Sequence, residues 1–158
     1  MSAYVDLVIS CDLKEDTPET YINAIRCLTD RNYELGEKPE LIYPGQGNIW
    51  DAFSDYHFLA PDFEHEIISS FQKKLRLILP AENHREVYHY SLQFSGRFIH
   101  DDYWAVHHIP FLYWLGTIAV QGLIGYSKDQ YSEYPYLLYA KNGKIEYARI
   151  LSKETLPW

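Results

Sequence analysis

Between residues 100 and 108 the chain reads His-Asp-Asp-Tyr-Trp-Ala-Val-His-His. Imidazole and carboxylate donors in so short a span are the ligand types of zinc and non-haem iron. His100, Asp101, Asp102 and His107 therefore form the candidate metal set, and with them comes the reading of a metal- or small-ligand-binding enzyme. The spacing is not HExxH, and neighbouring His107 and His108 point in different directions on any regular element. The competing expectation is an aspartate pair capping a helix start, with surface histidines beside it.

Other chemistry finds less footing. Gly45-Gln46-Gly47 has the look of a phosphate cradle. The third glycine of a dinucleotide fingerprint would fall at Trp50, and no lysine follows in Walker spacing, so a proline-glycine turn is expected. No G-x-S-x-G elbow occurs, and Ser95 ahead of Gly96 reads as a structural strand serine. Cys11 and Cys27 lack CxxC or CxxxH partners and are expected as unbridged thiols of a reducing cytoplasm. No catalytic residue and no cofactor is assigned.

The tyrosines stand out, at 15 in 158 residues. Tyr126, Tyr131, Tyr134, Tyr136 and Tyr139 crowd one region, with Asp129 and Glu133 between them. Tyrosine offers a large contact area with a polar tip and few rotamers to freeze, which suits recognition. Tyr126, Asp129, Tyr131, Glu133 and Tyr134 are the candidate partner-binding set. The plainer alternative is that the tyrosines cover a sheet, as β-propensity favours.

Charge points the same way. A formal net charge of −8 argues against a nucleic-acid groove and suits a basic protein partner. Hydrophobic content of 47% excludes a disordered chain. The first 30 residues lack a secretory pattern, and the most apolar segment is far short of the roughly 20 residues that span a bilayer. The expectation is a soluble, non-enzymatic, acidic binding module of bacterial cytoplasmic type, like an immunity protein or toxin inhibitor. A homodimer joined through the apolar helix at 110–120 is the alternative assembly.

The elements that must position these residues centre on 86–126. Val87–Ile99 alternates with a period of two: Tyr88, Tyr90, Leu92, Phe94 and Phe98 on the dry face, His89, Ser91, Gln93, Ser95 and Arg97 on the other. Gly96 interrupts the apolar row and marks a bulge or a close approach. Pro110 opens an almost wholly apolar helix that runs to Val120, and a short strand follows at Gly122–Tyr126. Ahead of this core, Tyr4–Leu13 alternates as a strand. Thr17-Pro18-Glu19 opens a helix with a hydroxyl cap and a stripe of Tyr21, Ile22, Ile25 and Leu28, off which Cys27 falls. A loop-rich stretch follows, holding short strands at Glu40–Tyr43 and Tyr56–Leu59.

Phe63, Ile67, Ile68, Phe71, Leu75, Ile78 and Leu79 then recur at helical spacing between Pro61 and Pro80, predicting an amphipathic helix. Ser127–Tyr134 reads as a polar loop. Asn142-Gly143 accepts the positive φ of a type I′ turn and sets Ala140 opposite Ile145, Leu138 opposite Tyr147 and Leu137 opposite Ala148. The sum is a single α+β domain over 1–158, with 152–158 a loose tail. Its order is β-α-(β)-α-β-α-β-β-β, a mainly antiparallel sheet with helices on one face and halves of ferredoxin-like kind.

Overall fold

A computed structural model of the chain describes residues 3–45, 47–52, 57–64, 66–78, 85–99, 108–150 and 154. Strand β1 (Tyr4–Asp12) buries Val5, Leu7, Ile9 and Cys11 on one side, as its alternation requires. Helix α1 (Glu19–Thr29) follows, then a small hairpin of β2 (Ile42–Tyr43) and β3 (Gly47–Asn48) and a 3₁₀ turn at Ile49–Ala52. The remaining elements are β4 (Ile68–Ile78), β5 (Arg85–Ile99), α2 (Ile109–Ile118), β6 (Gly122–Asp129), β7 (Tyr136–Lys141) and β8 (Lys144–Arg149). Six strands form one antiparallel sheet in the order β4-β5-β1-β6-β7-β8.

Register ties the core together. Val5, Ile9 and Cys11 lie opposite Phe98, Phe94 and Leu92, and all six side chains join the buried faces of both helices in one core. Leu7 lies opposite Gly96 without a bulge; the Phe94 and Phe98 rings stack over that glycine at 5.8 Å and fill its missing side chain. The Asn142-Gly143 turn has φ of 52° and 74°, and Ala140–Ile145, Leu138–Tyr147 and Leu137–Ala148 pair as the turn chemistry predicts.

The helix expected between Pro61 and Pro80 is a strand over Ile68–Ile78. Phe63, which a helical stripe would bury, is fully exposed at 102%. β4 instead pairs in unbroken register with β5, from Ile68 opposite Ser95 to Ile78 opposite Arg85. β1 pairs with one edge of β5 and β4 with the other. That continuous ladder outweighs a spacing of apolar side chains that an edge strand leaves half exposed. The observed order is thus β-α-β-β-β-β-α-β-β-β, with two helices among the described residues. Residues 57–59, expected as part of a strand, form a turn. β6 extends through Asp129 into the expected loop, because Lys128 and Asp129 pair with Asp6 and Val5 of β1.

Two local expectations at α1 change as well. Pro18 occupies the capping position, and the Thr17 hydroxyl donates to the Lys14 carbonyl at 2.7 Å instead of capping the helix. Cys27 is buried, because residues 57–60 pack over the helix end. There the last carbonyls of α1 find donors: the Leu59 N–H to Leu28 O at 3.0 Å, His57 Nδ1 to Cys27 O at 2.7 Å, the Thr29 hydroxyl to Ile25 O at 2.9 Å and the Asp30 N–H to Arg26 O at 2.9 Å.

Candidate functional site

The predicted partner-binding residues divide into a turn and a strand. Asp129 closes β6, and its carboxylate accepts the Tyr131 N–H at 2.9 Å while its carbonyl accepts the Ser132 N–H at 3.0 Å. Gln130 is pinned to the start of β1: its N–H donates to Tyr4 O at 2.8 Å, and the Tyr4 N–H donates to Gln130 Oε1 at 3.2 Å. Tyr131 projects from this braced turn at 67% exposure. Glu133 is exposed, and the half-buried Tyr134 beside it has its phenol pKa raised by desolvation, by a hydrogen bond to Glu133 and by that residue's charge.

Tyr126 stands apart, within β6 on the side of the sheet away from the core. The register places it in a row Val8–Tyr126–Leu137–Ala148 across β1, β6, β7 and β8. Leu123, exposed at 57% and paired with Tyr139, widens this row. Tyr136 and Tyr147 meet edge to face at 5.6 Å, on the other side of the sheet from Tyr126. So Asp129, Tyr131, Glu133 and Tyr134 follow one another at the end of β6 and in its turn, while Tyr126 belongs to an apolar row on the sheet face away from the core.

The candidate metal residues His100, Asp101, Asp102 and His107 lie outside the described residues. Among the described residues no group of three His, Cys, Asp or Glu side chains is placed to hold a metal ion. His108, expected at the surface, is buried at 1%, with its ring 4.0 Å from that of Phe98 and 5.0 Å from that of Phe58.

Two cavities bring together residues that sequence did not. The first, of about 610 Å³, opens between the C-terminal end of α1 and β4 and is lined by Arg26, Asp30, Arg31, Asn32, Ser69 and Phe71 among others. Arg26 is held in place by Asn23 Oδ1 at 3.0 Å and the Tyr90 hydroxyl at 2.9 Å. The second, of about 290 Å³, lies at the sheet face away from the core and is lined by Ser10, Asp12, Ser91, Gln93 and Gln121. There the buried Ser91 hydroxyl donates to the Asp12 carboxylate. No sequence spacing announces either group, because each is assembled from elements distant in sequence.

Compared with known proteins, the chain matches no family model, no curated protein and no solved structure. Among the described residues no helix is long and apolar enough to cross a membrane.

Proposed function

We propose that the chain is a non-enzymatic recognition module, of the immunity or inhibitor kind, that presents the Asp129–Tyr134 turn to a basic protein partner in the cytoplasm. The observation that carries this reading is the exposure of Tyr131 on a turn already braced by Asp129 and by the Gln130–Tyr4 pair. An aromatic side chain on a pre-ordered backbone loses little entropy when it is covered. The formal charge of −8 favours and speeds association with a basic surface. Cys11 and Cys27, both buried and unbridged, accord with a reducing compartment.

The scaffold fits a ferredoxin-like reading. β1-α1-β4 and β5-α2-β6 are two split β-α-β units whose strands interleave in the order β4-β5-β1-β6, and β7 and β8 extend the sheet. This reading makes no use of a homodimer through α2, since Phe111, Leu112, Trp114, Leu115 and Ile118 are taken up in the chain's own core.

The test is native mass spectrometry of gently purified protein, followed by titration of the retained partner against the double variant Tyr131→Ala, Tyr134→Ala. Loss of about tenfold or more in affinity, as expected for exposed aromatic anchors, supports the proposal. Unchanged affinity would show that the turn is not the binding surface.

A further inference from the structure

The cavity between α1 and β4 brings two arginines together in an acidic chain. Arg26 and Arg31 both line it, and the Lys73 ammonium lies 6.0 Å from the centroid of the Tyr90 ring that Arg26 also approaches, at 5.3 Å. Neither arginine is saturated by its acidic neighbour. Glu19 stands 3.6 Å from Arg26 and Asp62 stands 3.6 Å from Arg31, beyond the reach of a hydrogen bond. The two hydrogen bonds from Arg26 to Asn23 and Tyr90 fix its plane while leaving further N–H donors on the guanidinium.

Acceptors nearby already have donors, and Asp30, which also lines the cavity, keeps its charge. The α1 carbonyls from Ile25 to Leu28 have the donors described above, so the helix end does not aim bare oxygens at the cavity. The Asp30 carboxylate accepts the Asn32 N–H at 2.9 Å. In contrast, Ser69 contributes a buried hydroxyl oxygen with no hydrogen-bond partner among the described residues. A buried hydroxyl left in that state is destabilising, and a ligand able to bond it supplies the missing partner. Phe71, stacked on Tyr90 at 5.3 Å, adds an aromatic wall. The volume of about 610 Å³ is that of a small-molecule site.

We infer that this cavity binds a small organic oxyanion, a carboxylate or phosphate attached to a flat apolar group. The oxyanion bridges Arg26 and Arg31 through charge-assisted hydrogen bonds, the Ser69 hydroxyl bonds a polar atom of the ligand, and the flat group lies along Phe71. This site is separate from the tyrosine-bearing turn and does not depend on it.

The experiment is a ¹H–¹⁵N NMR titration of the full chain with phenyl phosphate and with benzoate, using benzyl alcohol as the uncharged control. Saturable shifts at the amides of Asn32, Tyr33, Ser69 and Phe71 with either anion, and none with benzyl alcohol, are expected. The stronger of the two anions names the headgroup class. Arg31→Gln is expected to weaken binding by about tenfold or more and Ser69→Ala by about fivefold; the two variants report on the same site if one fails to fold. No saturable shift with either anion, equal binding of benzyl alcohol, or unchanged affinity in the folded variants overturns the assignment.

Discussion

The two helices meet the sheet in opposite ways. Around α2 the packing is closed: Trp114 is fully buried, its ring 5.3 Å from Tyr21 and 6.1 Å from Phe111. At Gly116 a Cβ would lie 2.9 Å from the backbone of Lys144 and from the Ile145 side chain, so α2 rests on β8 with no space for a methyl group. Around the end of α1 the packing is open, with a cavity of about 610 Å³ and a hydroxyl without a partner. The difference follows from residue type. α2 is apolar on nearly every side and closes against what it touches, whereas α1 turns Arg26 and Thr29 toward an edge strand that offers Ser69. Each junction buries a polar atom without a partner among the described residues, Trp114 Nε1 at the closed one and Ser69 Oγ at the open one, and the second lines a cavity.

Substitutions on the two sides separate these roles. Trp114→Ala removes the largest side chain of the closed junction and is expected to cost about 3–5 kcal/mol in chemical denaturation. Phe71→Ala, at the half-buried wall of the open junction, should cost only about 1–2 kcal/mol. Equal losses would show that the two junctions are packed alike. Gly116→Ala sharpens the contrast through its sign. Alanine gains about 1 kcal/mol in helix propensity, but the contact with β8 costs about 1–3 kcal/mol, so a net loss of about 1 kcal/mol is expected. A gain in melting temperature would mean that α2 stands off β8.

Cys11 on the central strand probes the core the junctions share. Burial, and secondarily the charge of Asp12, push its thiol from 9.0 up to about 12. The folded value lies above the unfolded one, so the neutral thiol's contribution is complete below pH 9 and is lost as pH rises toward 12. Unfolding free energy should therefore fall faster with pH than in Cys11→Val over that window, reaching a difference of about 1 kcal/mol near pH 10. Parallel pH profiles would place Cys11 in contact with water. Smallest of all, Arg31→Gln should leave stability within about 0.5 kcal/mol, because its side chain is 54% exposed and its ion pair with Asp62 is long. A larger loss would make Arg31 a structural residue.

Much of this protein was decided locally and was legible. The alternation in β1 and β5, the proline at the start of α2 and the Asn142-Gly143 turn each act over a few residues and give the elements those residues require, although on β5 Tyr88 of the expected dry face is exposed and His89 and Ser91 of the other face are buried. The exposure of Tyr131 was legible for the same reason, since its polar neighbours offered it no core. β4 was not, because Phe63, Ile67, Ile68, Phe71 and Leu75 satisfy a helical spacing, and only the continuous ladder with β5 selects a strand. The α1–β4 cavity was illegible too. Arg26, Arg31 and Ser69 carry no mutual spacing, and they meet only because a strand replaces the expected helix beside the end of α1. Sequence alone determined the elements whose signal is carried by neighbouring residues; tertiary structure decided what depends on pairing along another strand.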